Sequence, residues 1–338
     1  MFGTYRTFLA LMVVASHLGG VPMIGGYAVF AFYCLSGYLM TLIMQTDYGY
    51  SFNGTARYAI NRFLRIYPIY WVSILLSVLL IWYMSNDFFL HYHQSIYLPG
   101  DFVESIKNVM LFFPSFRDSP RLTPPAWALT VEIFFYILIG IGTSKNKLIT
   151  LIWFACSALY HLCVFIFQLG FEHKFYTISA ASLPFATGAL IFYYNSKITK
   201  YISLLPGKIY YCFPLIIMLC ILANWQFGIL TTQSKGIFFY SNYVLCATMV
   251  AVLMERNQLP FISPKFDKWM GDLSYPIYLT HYQTGVIVII ILSAVGIELK
   301  RPSLILMFTS IPVIFLFSWI ITVTLERPIE TIRAKVKS

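Results

Sequence analysis

The sequence predicts an all-α polytopic integral membrane protein of about ten transmembrane helices, with both termini in the cytoplasm. Three observations carry that reading. Of the 338 residues, 59% are apolar and 11% charged, with a mean hydropathy of +0.74; a soluble domain carries about a quarter charged residues. Long apolar runs recur from end to end of the chain, and about 20 such residues suffice for a helix to cross hydrocarbon. The lysines and arginines gather in alternate loops.

Ten spans follow from these runs, at about 5–21, 25–46, 67–84, 125–143, 148–169, 178–194, 209–225, 236–254, 273–293 and 303–325. Several are short for about 30 Å of hydrocarbon, so tilting or local thinning is expected. With the N-terminus inside, 16 cations fall on the inner side and 7 on the outer, which is the positive-inside bias. Topology therefore explains the net charge of +10, and no nucleic acid is implied. The first span keeps Arg6 and lacks a small-residue cleavage site, so it reads as a helix and not as a signal peptide. The whole chain, 1–338, is expected to be one transmembrane domain with no appended soluble domain. Its six cysteines lie in apolar stretches without zinc-like spacing. They read as small core residues, and neither a disulfide framework nor a metal site is expected.

The first span carries the main anomaly. Arg6 and His17 are separated by apolar or small residues only. Eleven helical steps of about 100° bring both to one face within about 20°, roughly 16 Å apart along the axis. Arg6 then sits at an interface and His17 well inside the bilayer, where an ionisable side chain is costly and usually faces a cavity or a substrate path. In the second span Ser36-Gly37 is a small step against which another helix can pack closely.

The inner loop before the third span carries Arg57, Arg62 and Arg65. Arginines at this spacing fit a multidentate phosphate clamp, though spacing alone favours a positive-inside anchor touching lipid headgroups. The outer loop 85–123 is long enough to be functional. It holds His91, His93, Arg117 and Arg121, and its segment 102–113 reads as a short helix lying on the outer surface. The histidines fit acceptor binding better than a metal, for which no third ligand has an obvious spacing. Pro124-Pro125 then opens a helix that carries Trp127, Glu132 and Tyr136. Glu132 falls two turns in, at a depth comparable to His17, and fits either a partner that orients a histidine base or a structural ion pair. The ninth span opens with Ser274, Tyr278 and His281 on one face, a pattern that suits packing as well as substrate binding. Glu326 closes the last span and fits a pairing with an inner arginine, such as Arg6 or Arg62, or equally a plain interfacial salt bridge.

Five motifs appear in order: Arg6-x10-His17; the Phe-rich run to Ser36-Gly37-Tyr38-Leu39; Arg62-x-x-Arg65-Ile66-x-Pro68; Trp127-x-Leu129-x-x-Glu132-x-x-Phe135-Tyr136; and Ser274-Tyr275-x-Ile277-Tyr278-Leu279-x-His281. Together they resemble the acyltransferase family 3 membrane proteins, which include bacterial O-acetyltransferases of lipopolysaccharide O-antigen and other surface glycans. The resemblance spans nearly the whole chain. One departure is Ala128, where relatives often carry a serine.

The resemblance implies transfer of an acetyl group from cytoplasmic acetyl-CoA to a carbohydrate hydroxyl at the outer face of the bacterial inner membrane. It makes the Arg6–His17 pair essential and implies the stand-alone form, without a C-terminal hydrolase-like domain. The expected catalytic residues are His17, Arg6 and Glu132, with His17 as general base and an acyl-histidine as a second route. Donor binding is expected from Arg62, Arg65 and Arg6. Trp127, Tyr136, Tyr278 and His281 are the candidate substrate-binding residues. No permanently bound cofactor is expected, acetyl-CoA being the donor substrate; the other partners are a carbohydrate or lipid-linked glycan and membrane lipids. The competing reading is a transporter or flippase of a small anionic or lipid-linked substrate, which also needs intramembrane Arg, His and Glu. The absence of a half-to-half repeat counts against it.

Overall fold

The computed structural model describes residues 2–256 and 259–337. The side chain of Arg256, one of the inner cations counted above, lies outside the described residues. Helices run Gly3–His17 (α1), Ile24–Ile43 (α2), Phe52–Met84 (α3), Asn86–Tyr92 (α4), Phe102–Met110 (α5) and Ala126–Ile141 (α6). They continue as Lys147–Ile166 (α7), Phe171–Phe175 (α8), Ile178–Tyr193 (α9), Asn195–Ile202 (α10) and Gly207–Leu230 (α11). The last are Ile237–Arg256 (α12), Pro264–Ala294 (α13), Leu304–Ile321 (α14) and Arg327–Lys337 (α15), and π-helical turns at Met44–Tyr48 and Thr322–Glu326 extend α2 and α14.

Among the described residues there is no strand, and eight helical runs are long and apolar enough to cross a membrane. Two further spans expected from the sequence correspond to shorter helices, α1 with 15 residues and α6 with 16. α3 begins 15 residues before the expected span, because the arginine-bearing segment continues the helix inward.

The chain divides into two compact units. The first comprises 1–9, 22–59 and 134–271; the second comprises 10–21, 60–133 and 272–338.

In the first unit α2, α7, α9 and α12 pack around buried aromatics, with Phe30 meeting Phe239 at 4.9 Å and Phe175 at 6.3 Å between ring centroids. The close step expected at Ser36-Gly37 is taken by α9. A Cβ on Gly37 would run into the Phe185 carbonyl, and one on Gly188 into that of Cys34. Backbone touches backbone here, so neither glycine has room for a side chain. Gly188→Ala is expected to cost about 1–3 kcal/mol through forced helix separation, read as a lower melting temperature in detergent; an unchanged melt would contradict this packing. Pro184 inside α9 has no N–H for the Ala180 carbonyl. The buried His161 ring fills the gap, with Nε2 donating to that oxygen at 3.0 Å.

In the second unit α3 and α13 are joined by buried polar groups, the Gln283 amide meeting the Ser73 and Ser77 hydroxyls at 3.0 and 2.8 Å. Pro276 frees the Asp272 carbonyl, and the Thr322 hydroxyl approaches it at 3.4 Å. The loop 85–123 differs from the sequence expectation. A helix does form at Phe102–Met110, but it does not lie at the end of α3. Its last carbonyls accept from the middle of α3: Asn108 from Tyr70 at 2.6 Å, Val109 from Trp71 at 3.0 Å and Met110 from Tyr67 at 2.9 Å. Those side chains sit 13–17 residues before Met84, so the loop folds back roughly 20–25 Å along α3. Phe102, Val103, Ile106, Val109 and Met110 stay exposed on its outer face. An apolar face suits lipid, and the end of the returning segment, 120–123, is buried, with the Pro120 and Leu122 carbonyls accepting from Asn108 Nδ2 and Ser77 Oγ and the Arg121 N–H donating to the Ser95 carbonyl, as irregular chain at membrane depth requires.

Candidate active site

His17 is the last residue of α1. The chain turns sharply after it, with Gly20 at φ +70°, and the Leu18 carbonyl accepts from Ser303 N–H at the start of α14 (2.9 Å). The end of α1 is thereby pinned inside the second unit.

Two consecutive residues of α13 meet the imidazole. Tyr282 Oη lies 2.7 Å from His17 Nδ1, and the His281 ring stacks on the His17 ring at 5.4 Å with 21° between planes. His281 is fully buried. Its Nδ1 is 2.8 Å from the Tyr278 carbonyl; a carbonyl only accepts, so Nδ1 carries the proton and the lone pair is at Nε2. That Nε2 has no hydrogen-bond partner among the described residues, and a buried acceptor left in that state demands an explanation. His17, by contrast, keeps an exposed surface. The ring is met on two sides, by the Tyr282 phenol and the His281 ring, and an intramembrane histidine so placed suits a substrate path.

The folded-back loop completes the cluster. The His93 ring stands edge-on to Tyr282 at 5.0 Å, with its Nδ1 accepting from Ser95 N–H and facing Ser95 Oγ at 2.9 Å. Arg121 is held by its N–H to the Ser95 carbonyl (2.7 Å) and is 7% exposed. Burial, and next the Arg121 guanidinium, push His93 down to about 4. It is therefore neutral throughout the physiological range. Arg121 also acts electrostatically on Tyr278 and Tyr282. His91 stays exposed, its Nδ1 bonded to the Asp87 carbonyl of its own helix. No group of three or more metal-ligating side chains occurs among the described residues.

Below this cluster a polar file continues down α13. Tyr278 donates to the Pro125 carbonyl at 3.3 Å, and Glu132 on α6 acts electrostatically on both Tyr278 and Tyr275. Tyr275 donates to the Ile66 carbonyl at 2.9 Å, and the Arg65 guanidinium lies 5.7 Å from its ring centroid. Arg65 forms an ion pair with Glu326.

His17 Nδ1 is met by the Tyr282 phenol, while the Glu132 carboxylate acts electrostatically on Tyr278 and Tyr275, one and two turns before Tyr282 on α13. Glu326, at the end of the π turn Thr322–Glu326, does pair with an inner arginine, and that arginine is Arg65 on α3 instead of Arg6 or Arg62. His281 joins the His17 cluster, while Tyr278 contributes only its carbonyl, to His281 Nδ1, its phenol lying against the Pro125 carbonyl. Trp127 and Tyr136 both lie on α6, Trp127 in the second unit and Tyr136 in the first.

Arg62 and Arg333 meet elsewhere in the second unit, where Arg62 Nη2 donates to Asn61 Oδ1 at 2.6 Å and Arg333 Nε to the same oxygen at 3.2 Å. Arg6 belongs to the first unit. The Asp267 carboxylate caps the start of its helix, accepting from Gly3 and Thr4 N–H at 3.0 and 2.8 Å, which also suits the positive end of the helix dipole. The Arg6 guanidinium lies over Gly271, where a Cβ would meet Nη2 at 2.6 Å.

Comparison with known proteins gives a consistent picture. A family model described as an acyltransferase domain matches residues 4–323. The chain is 26% identical over 326 residues to YrhL of Bacillus subtilis, which carries a provisional peptidoglycan O-acetyltransferase name; the match covers 88% of this chain and 49% of that protein. It is 24% identical over 326 residues to the peptidoglycan O-acetyltransferase OatA of Listeria monocytogenes, covering 88% and 50%. The chain thus spans about half the length of these curated relatives. No solved structure matches it.

Proposed function

The chain belongs to the acyltransferase domain family, and from that premise we propose that it is a membrane-bound O-acetyltransferase that moves the acetyl group of acetyl-CoA to a hydroxyl of a bacterial surface glycan. The observation that carries the proposal is the His17–Tyr282–His281 cluster: an open imidazole, oriented by a phenol and stacked on a second imidazole, at the end of a short apolar helix. Two relatives named for peptidoglycan put that polymer beside lipopolysaccharide O-antigen as the acceptor. The proposed location is the inner membrane, with acetyl-CoA arriving from the cytoplasm.

The chemistry follows from the ring's two nitrogens. In the tautomer whose Nδ1–H donates to Tyr282 Oη, His17 Nε2 carries the lone pair. It takes the proton of the glycan hydroxyl as the oxygen attacks the thioester carbonyl. When the C–S bond breaks, Nε2–H returns the proton to the thiolate, so the products are the O-acetyl ester and free CoA. His281 and Tyr282 fix the ring for this exchange, and neutral His93 closes the cluster without adding a charge.

Tyr282→Phe keeps the ring and removes the hydrogen bond to His17. It is expected to lower kcat roughly 10- to 100-fold, with the KM for acetyl-CoA little changed. An unchanged kcat would remove the phenol from the mechanism. Membranes containing the protein should release free CoA thiol from acetyl-CoA only when acceptor glycan is present. Failure to release it with acceptor present would contradict the proposal.

A further inference from the structure

Arg301 stands in the turn between α13 and α14, in the second unit, and its neighbours fix that turn against the end of α1. Ser303 N–H donates to the Leu18 carbonyl at 2.9 Å, and a Cβ on Gly20 would meet Pro302 at 2.9 Å. The half-buried Arg301 guanidinium lies over two rings of α4, 4.5 Å from the Phe88 centroid and 5.6 Å from that of Tyr92. Rings attract a cation, but they take up none of its five N–H donors in conventional hydrogen bonds and cancel no charge. Among the described residues this guanidinium makes no hydrogen bond and no ion pair.

The rings beneath it belong to the His17 cluster. Tyr92 donates to the Tyr282 carbonyl at 3.1 Å, and its ring stands 6.0 Å from that of Tyr282, which in turn is 5.0 Å from the His17 ring. The guanidinium is thus at most about 17 Å from the imidazole. Arg301 acts electrostatically on Tyr92, and Arg121 on His93 and Tyr282, so this side of the cluster favours an anion. A guanidinium held in place with its donors unused matches the oxygens of a carboxylate or a phosphate.

We propose that Arg301 binds an oxyanion of the acceptor, a carboxylate where the acceptor is peptidoglycan, and so selects anionic glycans for the His17 cluster. The acceptor role rests on the acetyl transfer proposed above. The phosphate of a lipid headgroup presents the same chemistry.

Inorganic pyrophosphate probes the site without turnover. With the full chain in nanodiscs of phosphatidylcholine, millimolar pyrophosphate is expected to raise the melting temperature of wild type. Arg301→Gln should lose at least half of that shift, and Arg301→Lys less. A shift equal in wild type and Arg301→Gln overturns the proposal.

Peptidoglycan chains freed of peptide test the acceptor role. Arg301→Gln should raise the KM for these chains roughly tenfold, with kcat and the KM for acetyl-CoA as in wild type. Converting the carboxylates of the chains to methylamides should raise the wild-type KM similarly and leave that of Arg301→Gln unmoved, a pattern that a merely structural arginine does not produce. If Arg301→Gln loses the pyrophosphate shift but keeps the wild-type KM for the chains, the site holds a lipid headgroup and the acceptor role is overturned. If wild type shows the pyrophosphate shift through Arg301 yet releases no CoA with these chains, the anion site stands and acetyl transfer to this polymer fails.

Discussion

His17→Ala is expected to lower the rate of acetyl transfer by roughly 10²- to 10⁴-fold, the usual contribution of a positioned base. The loss should fall on kcat, with the KM for acetyl-CoA nearly unchanged, since the ring acts at the thioester end of the donor. The substitution should leave the fold intact, because the His17 side chain is exposed where its neighbours Leu18 and Val14 are buried. Initial rates at matched expression are the measurement. Retention of near wild-type kcat would remove His17 as the base and transfer that role to His281, whose Nε2 lone pair is unpartnered.

Glu326→Gln should produce the largest loss of stability. Glu326 is 7% exposed and Arg65 21% exposed, and each is the other's ion-pair partner. Removing a carboxylate from a fully buried pair costs about 3–5 kcal/mol because a charge is left uncompensated. Arg65 keeps some contact with solvent and lies near the Tyr275 ring, so about 2–3 kcal/mol is expected here. The double change Arg65→Met with Glu326→Leu should recover most of that loss, since no orphan charge remains. Thermal unfolding in detergent decides it: a single variant that melts with wild type, or a double variant less stable than the single, would contradict a buried structural pair.

Much of the fold was legible because hydrophobic runs and proline or glycine steps act locally. The apolar runs located the spans, and Gly37 announced a close helix contact that α9 supplies through Gly188. His17 was legible as an anomaly, an ionisable group with no local reason to be in hydrocarbon. Its partner was not. Glu132 attracts attention as a carboxylate at matching depth, but depth from composition carries an error of a turn or more, and one turn decides between His17 and the Tyr275–Tyr278 level. Tyr282 carries a signal in retrospect, since Tyr275, Tyr278 and Tyr282 repeat at i, i+3 and i+7, a single helix face. The descent of loop 85–123 was hidden because an amphipathic segment reads alike on a surface and against a neighbouring helix. Only the hydrogen bonds from Tyr67, Tyr70 and Trp71 distinguish the two. The pairing of Glu326 with an inner arginine was legible, but not which arginine, because the π turn before it adds a residue that no local pattern marks.

The central claim is that an acetyl group leaves CoA and becomes an ester at the His17 cluster. Inverted membrane vesicles supplied with acetyl-CoA labelled on the acetyl carbon, and in parallel on the adenine, test it most directly. The account predicts acetyl label in a base-labile glycan ester for wild type and not for His17→Ala, with the adenine label left outside in free CoA. Wild-type vesicles that contain the native glycan yet form no labelled ester, or that take up substrate without releasing CoA, would contradict it and favour a transporter.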